Sequence, residues 1–190
     1  MLPMYLKLGF DHISDLKGYD HILFIIALCA SYSVADWKRI LILVTAFTLG
    51  HSFTLALSAL RVINLPSGLI EFLIPCTILC TALLNIWYKP RPTIKWNPVY
   101  FLALFFGFIH GLGFASYFKA LLGKEVSIVI PLLGFNLGVE IGQLCIVTCI
   151  LLINFLFIRF GNITQRQWNV PVSIVAAVLS IVMIIQRMKF

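Results

Sequence analysis

From Ile40 to Leu60 the chain runs for 21 residues without a Lys, Arg, Asp or Glu. From Ile128 to Ile158 it runs for 31 residues with one such side chain, Glu140. A helix rises ~1.5 Å per residue, so about 20 apolar residues cross the ~30 Å of hydrocarbon in a bilayer. Runs of this length decide what the chain can be. An ordinary soluble domain is about 45–50% apolar and about 25% charged. Here the values are 61% and 11%. A soluble domain, a disordered chain, a coiled coil and a secreted disulfide scaffold are all excluded on this ground. The runs are continuous and do not alternate, which argues against a β-barrel. The expected fold is all-α: a single polytopic membrane domain over residues 1–190 in a lipid bilayer.

Six segments qualify as spans, approximately 21–36, 39–60, 69–88, 98–122, 128–158 and 170–186. The fifth exceeds one straight crossing, and Pro131, Gly134, Gly138 and Gly142 offer places to break or tilt it. Residues 1–19 are apolar, then acidic, and are expected to lie along the membrane as an interfacial segment. Asp11, Asp15 and Asp20 argue against a cleavable leader in this stretch. The net charge of +7 comes from basic residues placed between apolar runs, where lipid headgroups lie, so nucleic acid is not an expected partner. Six spans put both termini on one side. Seven Lys and Arg fall on each face, so the positive-inside rule gives no orientation. The five cysteines, Cys29, Cys76, Cys80, Cys145 and Cys149, all lie in apolar runs and imply no disulfide framework.

The informative residues are the polar ones at membrane depth. The chain has four histidines: His12, His21, His51 and His110. Counting helix rise from Arg61 and Lys119 puts His51 roughly 15 Å and His110 roughly 14 Å below one face. Glu140 lies roughly 18 Å from that same face by its distance from Ile128. His21, beside Asp20, enters from it too. Ionisable groups so deep are costly and usually face a cavity or a partner. A single such histidine commonly bonds a neighbouring helix. Four spans that offer His or Glu to one half of the membrane are a stronger signal. Thr48 and Ser52 flank His51. Asn136, Glu140 and Gln143 form one stripe at i, i+4, i+7. Gly50, Gly107, Gly111, Gly113, Gly134 and Gly138 would let the helices approach closely.

The candidate metal ligands are therefore His12, Asp20, His21, His51, His110 and Glu140, supported by Asp15, Thr48, Ser52, Asn136 and Gln143. Asp20 could ligate directly, or orient the His21 ring by accepting its second N–H. Imidazoles with carboxylates suit a borderline divalent transition metal such as zinc, nickel, copper or iron. Three readings follow from the residues. The first is a membrane permease or metal-handling protein, with the ion as substrate and weak successive sites. The second is an intramembrane metal-dependent hydrolase, with Glu140 or Asp20 as general base. The third is a membrane subunit whose buried histidines serve packing.

Four stretches carry a family resemblance. His12-Ile-Ser-Asp-Leu-Lys-Gly18-Tyr-Asp20-His21 resembles the His-to-Asp-His signature of HupE/UreJ proteins. Thr45-Ala-Phe-Thr-Leu-Gly-His51-Ser52-Phe-Thr54 resembles their second-span motif. Phe108-Ile-His110-Gly111-Leu-Gly113 and Gly134-Phe-Asn136-Leu-Gly-Val-Glu140-Ile-Gly-Gln143 resemble the fourth- and fifth-span motifs. The likeness is collinear from about residue 9 to 150 and closer to the second branch of the family. Seven residues separate His12 from Asp20, where nickel-permease members have five, and the fourth-span motif has one histidine where they have two. The resemblance implies a nickel or cobalt permease of the bacterial inner membrane that serves hydrogenase or urease maturation. It also implies an amino terminus outside the cytoplasm.

Overall fold

The computed structural model describes residues 1–87, 98–122 and 127–188. The basic stretch 89–92, the cations Lys95, Lys124 and Lys189, and the far end of the 69–88 span lie outside these residues. Seven helices follow one another among the described residues: α1 (Leu2–Ile13), α2 (Asp20–Cys29), α3 (Trp37–Ala59), α4 (Ser67–Trp87), α5 (Pro98–Leu122), α6 (Val129–Phe160) and α7 (Gln165–Arg187). A single 3-10 turn, Val34–Asp36, precedes α3. The all-helical expectation holds.

Five helices, α3 to α7, are long and apolar enough to cross a bilayer. The first of the six expected spans is not found as one helix. Residues 21–36 divide into the ten-residue α2 and the 3-10 turn. Ten residues rise about 15 Å, half of a hydrocarbon core. The break has a local cause. Asp36 accepts from the backbone N–H and hydroxyl of Ser33, a capping box that starts a new helix. The carbonyls at the end of α2 are also satisfied from elsewhere. Asn85 on α4 donates to the Ala27 carbonyl, and Gln165 on α7 donates to those of Ala30 and Tyr32. A helix can stop at membrane depth when protein groups take over its backbone bonds.

Residues 1–19, expected along the membrane surface, hold α1, which packs lengthwise on α6 with Tyr5, Gly9 and Ile13 buried. The glycines of α6 explain this. A Cβ on Gly138 would fall on the Leu6 carbonyl, and one on Gly142 would meet the Ile13 side chain. With no Cβ at either position, α1 lies directly against the α6 backbone. These glycines do not break α6, which runs unbroken for 32 residues. Pro131 sits in its first turn, where a missing N–H costs nothing.

The α3/α5 seam is built the same way. A Cβ on Gly50 would fall on the Leu104 carbonyl, one on Gly107 on that of Phe47, and one on Gly111 on that of His51. The expected close approach therefore occurs at both seams. The seam between α3 and α5 fixes His51 against His110. Among the described residues the cysteines are free, and Cys29 alone is buried.

Candidate metal centre

Each histidine reaches the centre from a different element. His12 is in the last turn of α1, His21 in the first turn of α2, His51 near the middle of α3, and His110 near the middle of α5. Their rings meet. The His12 and His21 centroids are 4.7 Å apart, His12 and His51 6.0 Å, and His21 and His110 5.0 Å. One ligand atom each from His12, His21 and His51 lies within 4.8 Å of the other two. Two nitrogens on one ion, each about 2.1 Å from it, can be at most about 4.2 Å apart. The widest pair therefore needs to close by less than about an ångström, within the reach of small ring rotations.

The decisive chemistry is in the ring nitrogens. His51 and His110 are completely buried, and His21 is 5% exposed. Yet His12 Nε2, His21 Nε2, both nitrogens of His51 and His110 Nδ1 have no hydrogen-bond partner among the described residues. Leaving a buried polar atom unpaired costs about 1–3 kcal/mol. Five at one place would rival the whole stability of a typical domain, about 5–15 kcal/mol. A neutral ring keeps one lone pair, and ligand atoms of His12, His21 and His51 within 4.8 Å of one another fit a shared cation.

The other ring nitrogens are held by neighbours that set the tautomer. Asp20 Oδ1 lies 3.0 Å from His21 Nδ1 and also accepts from the His21 backbone N–H. Asp20 Oδ2 accepts from Arg187 Nη2 at 3.2 Å, and Arg187 Nη1 donates to the Glu71 carbonyl. With Nδ1–H given to the carboxylate, His21 keeps its lone pair on Nε2. Burial alone would raise the Asp20 pKa. The hydrogen bonds from His21 and Arg187 outweigh it and hold the carboxyl well below its usual range. Thr77 does the corresponding work for His110. Its hydroxyl donates to the Ile74 carbonyl at 2.7 Å, so His110 Nε2, 2.9 Å from the same oxygen, is the donor and Nδ1 keeps the lone pair. Partial burial, then the neighbouring His21 and His51, lower the His12 pKa and keep that ring neutral at pH 7.

Aromatic rings wall the centre. Phe114 lies 3.9 Å from His12, Phe135 stacks on His51, and Phe24 and Phe47 pack on His110. A cavity of about 200 Å³ leads in, lined by His12, Asp15, Asp20, His21, Glu71 and Arg187. It adjoins a wider vestibule of about 430 Å³ that adds Asp11. Four of the chain's seven carboxylates thus surround one mouth. Such an arrangement raises the local concentration of cations.

The chain is recognised by one family model, described as HupE / UreJ protein, over residues 1–188. The chain belongs to the HupE / UreJ family. No curated protein and no solved structure matches it. Three of the four HupE / UreJ-like stretches supply the histidines of the centre: His12 and His21 from the first, His51 from the second and His110 from the third.

The fourth stretch has a different place. The structure does not bring Glu140 to the histidines. Its Oε1 accepts from Thr45 at 2.9 Å, and Gln143 Oε1 accepts from Thr48 at 2.6 Å. The depth estimate for Glu140 ignored its direction round the helix. At ~100° per residue, Glu140 is about 200° round α6 from Gly138, which faces α1. The polar stripe joins α6 to α3 instead, and Phe135 is the α6 side chain against the histidines. Asn136, on that stripe, has a buried Oδ1 without a partner among the described residues. Asp20 is in place, but with both oxygens engaged it orients His21. Asp15 lines the mouth, where its Oδ1 accepts from the Lys17 backbone N–H. Ser52 donates within its own helix to the Thr48 carbonyl.

Arg187 and Thr77 were not anticipated. Arg187 looked like a terminal topology charge. Thr77 has no sequence signal beyond its four-residue spacing from Thr81. An outer partner of a ligating histidine is commonly worth 10–100-fold in metal affinity, so Asp20→Asn is expected to weaken Co²⁺ binding by about that factor. Titration of the detergent-purified variant checks this, and an unchanged affinity would remove Asp20 from the site.

Proposed function

We propose that this protein is a membrane permease for a divalent transition-metal ion of the nickel and cobalt class, held by His12, His21 and His51 with His110 beside them. The observation that carries this reading is the set of buried, unpartnered ring nitrogens on four helices, with ligand atoms of His12, His21 and His51 within 4.8 Å of one another. Family membership supports a metal-handling role. The carboxylates at the mouth would gather the hydrated ion. Neutral imidazoles would then replace part of its water, since imidazole suits borderline metals such as nickel and zinc. We place the protein in a bacterial inner membrane, with the Asp20 end of α2 and the Arg187 end of α7, which are in contact, at the face outside the cytoplasm. The hydrolase alternative gains no support among the described residues: Glu140, its candidate base, is bonded to Thr45, and both oxygens of Asp20 are occupied.

The test is metal binding followed by passage. Detergent-purified protein titrated with Co²⁺ should show the visible absorption bands of nitrogen-ligated cobalt. In proteoliposomes the same ion should cross and quench an enclosed fluorophore. Absence of binding by Co²⁺, Ni²⁺ and Zn²⁺ alike would overturn the proposal.

A further inference from the structure

The lipid side of the α3/α6 seam holds polar groups that nothing in the described chain satisfies. Glu140 and Thr45 bond each other at its outer edge, where Thr45 is exposed and Glu140 half-buried. Asn136, one turn before Glu140 on the same stripe, has no hydrogen-bond partner among the described residues. Thr45 lies eight residues, about 12 Å, from the start of α3, and Asn136 seven residues, about 11 Å, from the start of α6. Both depths fall within the hydrocarbon, where no water reaches an unpaired amide. Beside this stripe Leu133, Leu137 and Ile141 of α6 form an exposed apolar face. Of the five spans α6 is the least covered: 22% of its most apolar stretch is buried in the bundle, against 33% or more in the other four.

A lipid tail covers leucines but offers no hydrogen bond to Asn136. The seam calls for a membrane-spanning segment with a polar side chain at the same depth, and the chain's own α6 is one. Two copies inserted the same way round are related by a twofold axis along the membrane normal, which sets each residue of α6 opposite itself at one level. Asparagine is self-complementary there. Its amide nitrogen donates and its carbonyl accepts, so an Asn136 pair satisfies both side chains reciprocally. A lone asparagine in an apolar seam fixes register and copy number in coiled coils in this way, and interhelical hydrogen bonds hold membrane helices together. Thr45 draws Glu140 towards α3, so the two carboxyls of a pair need not face each other across the axis.

We propose that the chain pairs with a second copy of itself through the lipid side of α6, with Asn136 at the centre of a twofold contact. The contact leaves the histidine centre free. At ~100° per residue Asn136 is about 200° round α6 from Gly138, whose side α1 covers, so the second copy and α1 occupy different sides of the helix. Each copy keeps its own set of histidines and its own mouth. The pairing does not depend on the permease reading, because it follows from an unsatisfied amide in hydrocarbon and not from the metal chemistry.

The full chain, labelled once with a fluorophore and reconstituted in liposomes at falling protein-to-lipid ratios, should bleach in two steps at high ratio and in one step at low ratio. Asn136→Leu removes the amide, leaves a side chain that lipid accepts, and breaks no bond within the described chain. It should unfold at the wild-type temperature in a detergent that separates the copies, and should weaken pairing about tenfold, the size expected from two lost interhelical hydrogen bonds. Asn136→Gln, which keeps an amide, should restore most of the pairing. If Asn136→Leu is less stable or does not purify as folded protein, Leu137→Trp, which adds bulk to the exposed face, carries the same expectation. Single-step bleaching of the wild type at every ratio overturns the pairing and leaves the seam to a different membrane protein. Two-step bleaching that Asn136→Leu and Leu137→Trp both leave unchanged also overturns it, because the copies would then meet on another face. A wild type that pairs but binds no Co²⁺ supports the pairing while overturning the metal reading.

Discussion

Leucine in place of His51 is expected to lower Co²⁺ affinity by more than about a hundredfold, beyond the 10–100-fold given by loss of an outer partner. The same change should leave the metal-free protein as stable as wild type, or more stable by up to about 2 kcal/mol. The two halves of this expectation have one cause. His51 has no exposed surface, and neither ring nitrogen has a partner among the described residues. As a packing residue it is a poor choice: a buried unpaired polar atom costs about 1–3 kcal/mol, and leucine has a similar volume and no such atom. As a ligand it is a good one, with a free lone pair facing His12 and His21. Thermal unfolding in detergent, beside the Co²⁺ titration, separates the readings. A packing histidine would give lower stability and no effect on metal, and that result would remove His51 from the centre.

The second large effect is expected at Gly107. Gly107→Val puts a branched side chain against the Phe47 carbonyl and the His51 backbone nitrogen. Neither can yield, because both belong to the backbone of α3. Overpacking a tight contact costs typically 1–3 kcal/mol, and a clash with backbone lies at or above the top of that range. The helices must separate, and His51 then moves away from His110 without any ligand being replaced. The expected result is a large fall in Tm together with loss of Co²⁺ binding. Gly113→Ala serves as the contrast. Its Cβ would meet the far end of the Ile74 side chain, which can turn aside, so only a small change is expected. Equal effects from the two substitutions would mean that the α3/α5 seam does not set the histidine geometry.

The membrane class and five of the six expected spans, found as the long apolar helices α3 to α7, follow directly from the apolar runs, because length in hydrocarbon is a one-dimensional property that a sequence displays. Depth was legible for the same reason: His51 and His110, assigned similar depths by counting, do meet at one level. Direction round a helix was not. Glu140 faces Thr45 of α3, since its azimuth depends on the glycine face that α6 turns to α1. Nor did hydropathy reveal that residues 21–36 are two pieces. That break depends on Asn85 and Gln165, far away in the chain, taking up the carbonyls at the end of α2. Thr77 and Arg187 were missed on similar grounds. A threonine in a helix usually bonds its own backbone, and an arginine near a chain end usually meets water or headgroups. Only the folded arrangement brings one to His110 and the other to Asp20.

That last contact has a bearing on how the protein is made. The carboxylate that orients His21 sits on α2, and the guanidinium that clamps it sits on α7, which is synthesised well after it. While the ribosome is still adding α7, Asp20 lacks its counter-ion and Glu71 lacks the hand that ties its carbonyl to that pair. The linkage from His21 through Asp20 and Arg187 to Glu71 thus closes only after α7 has been made.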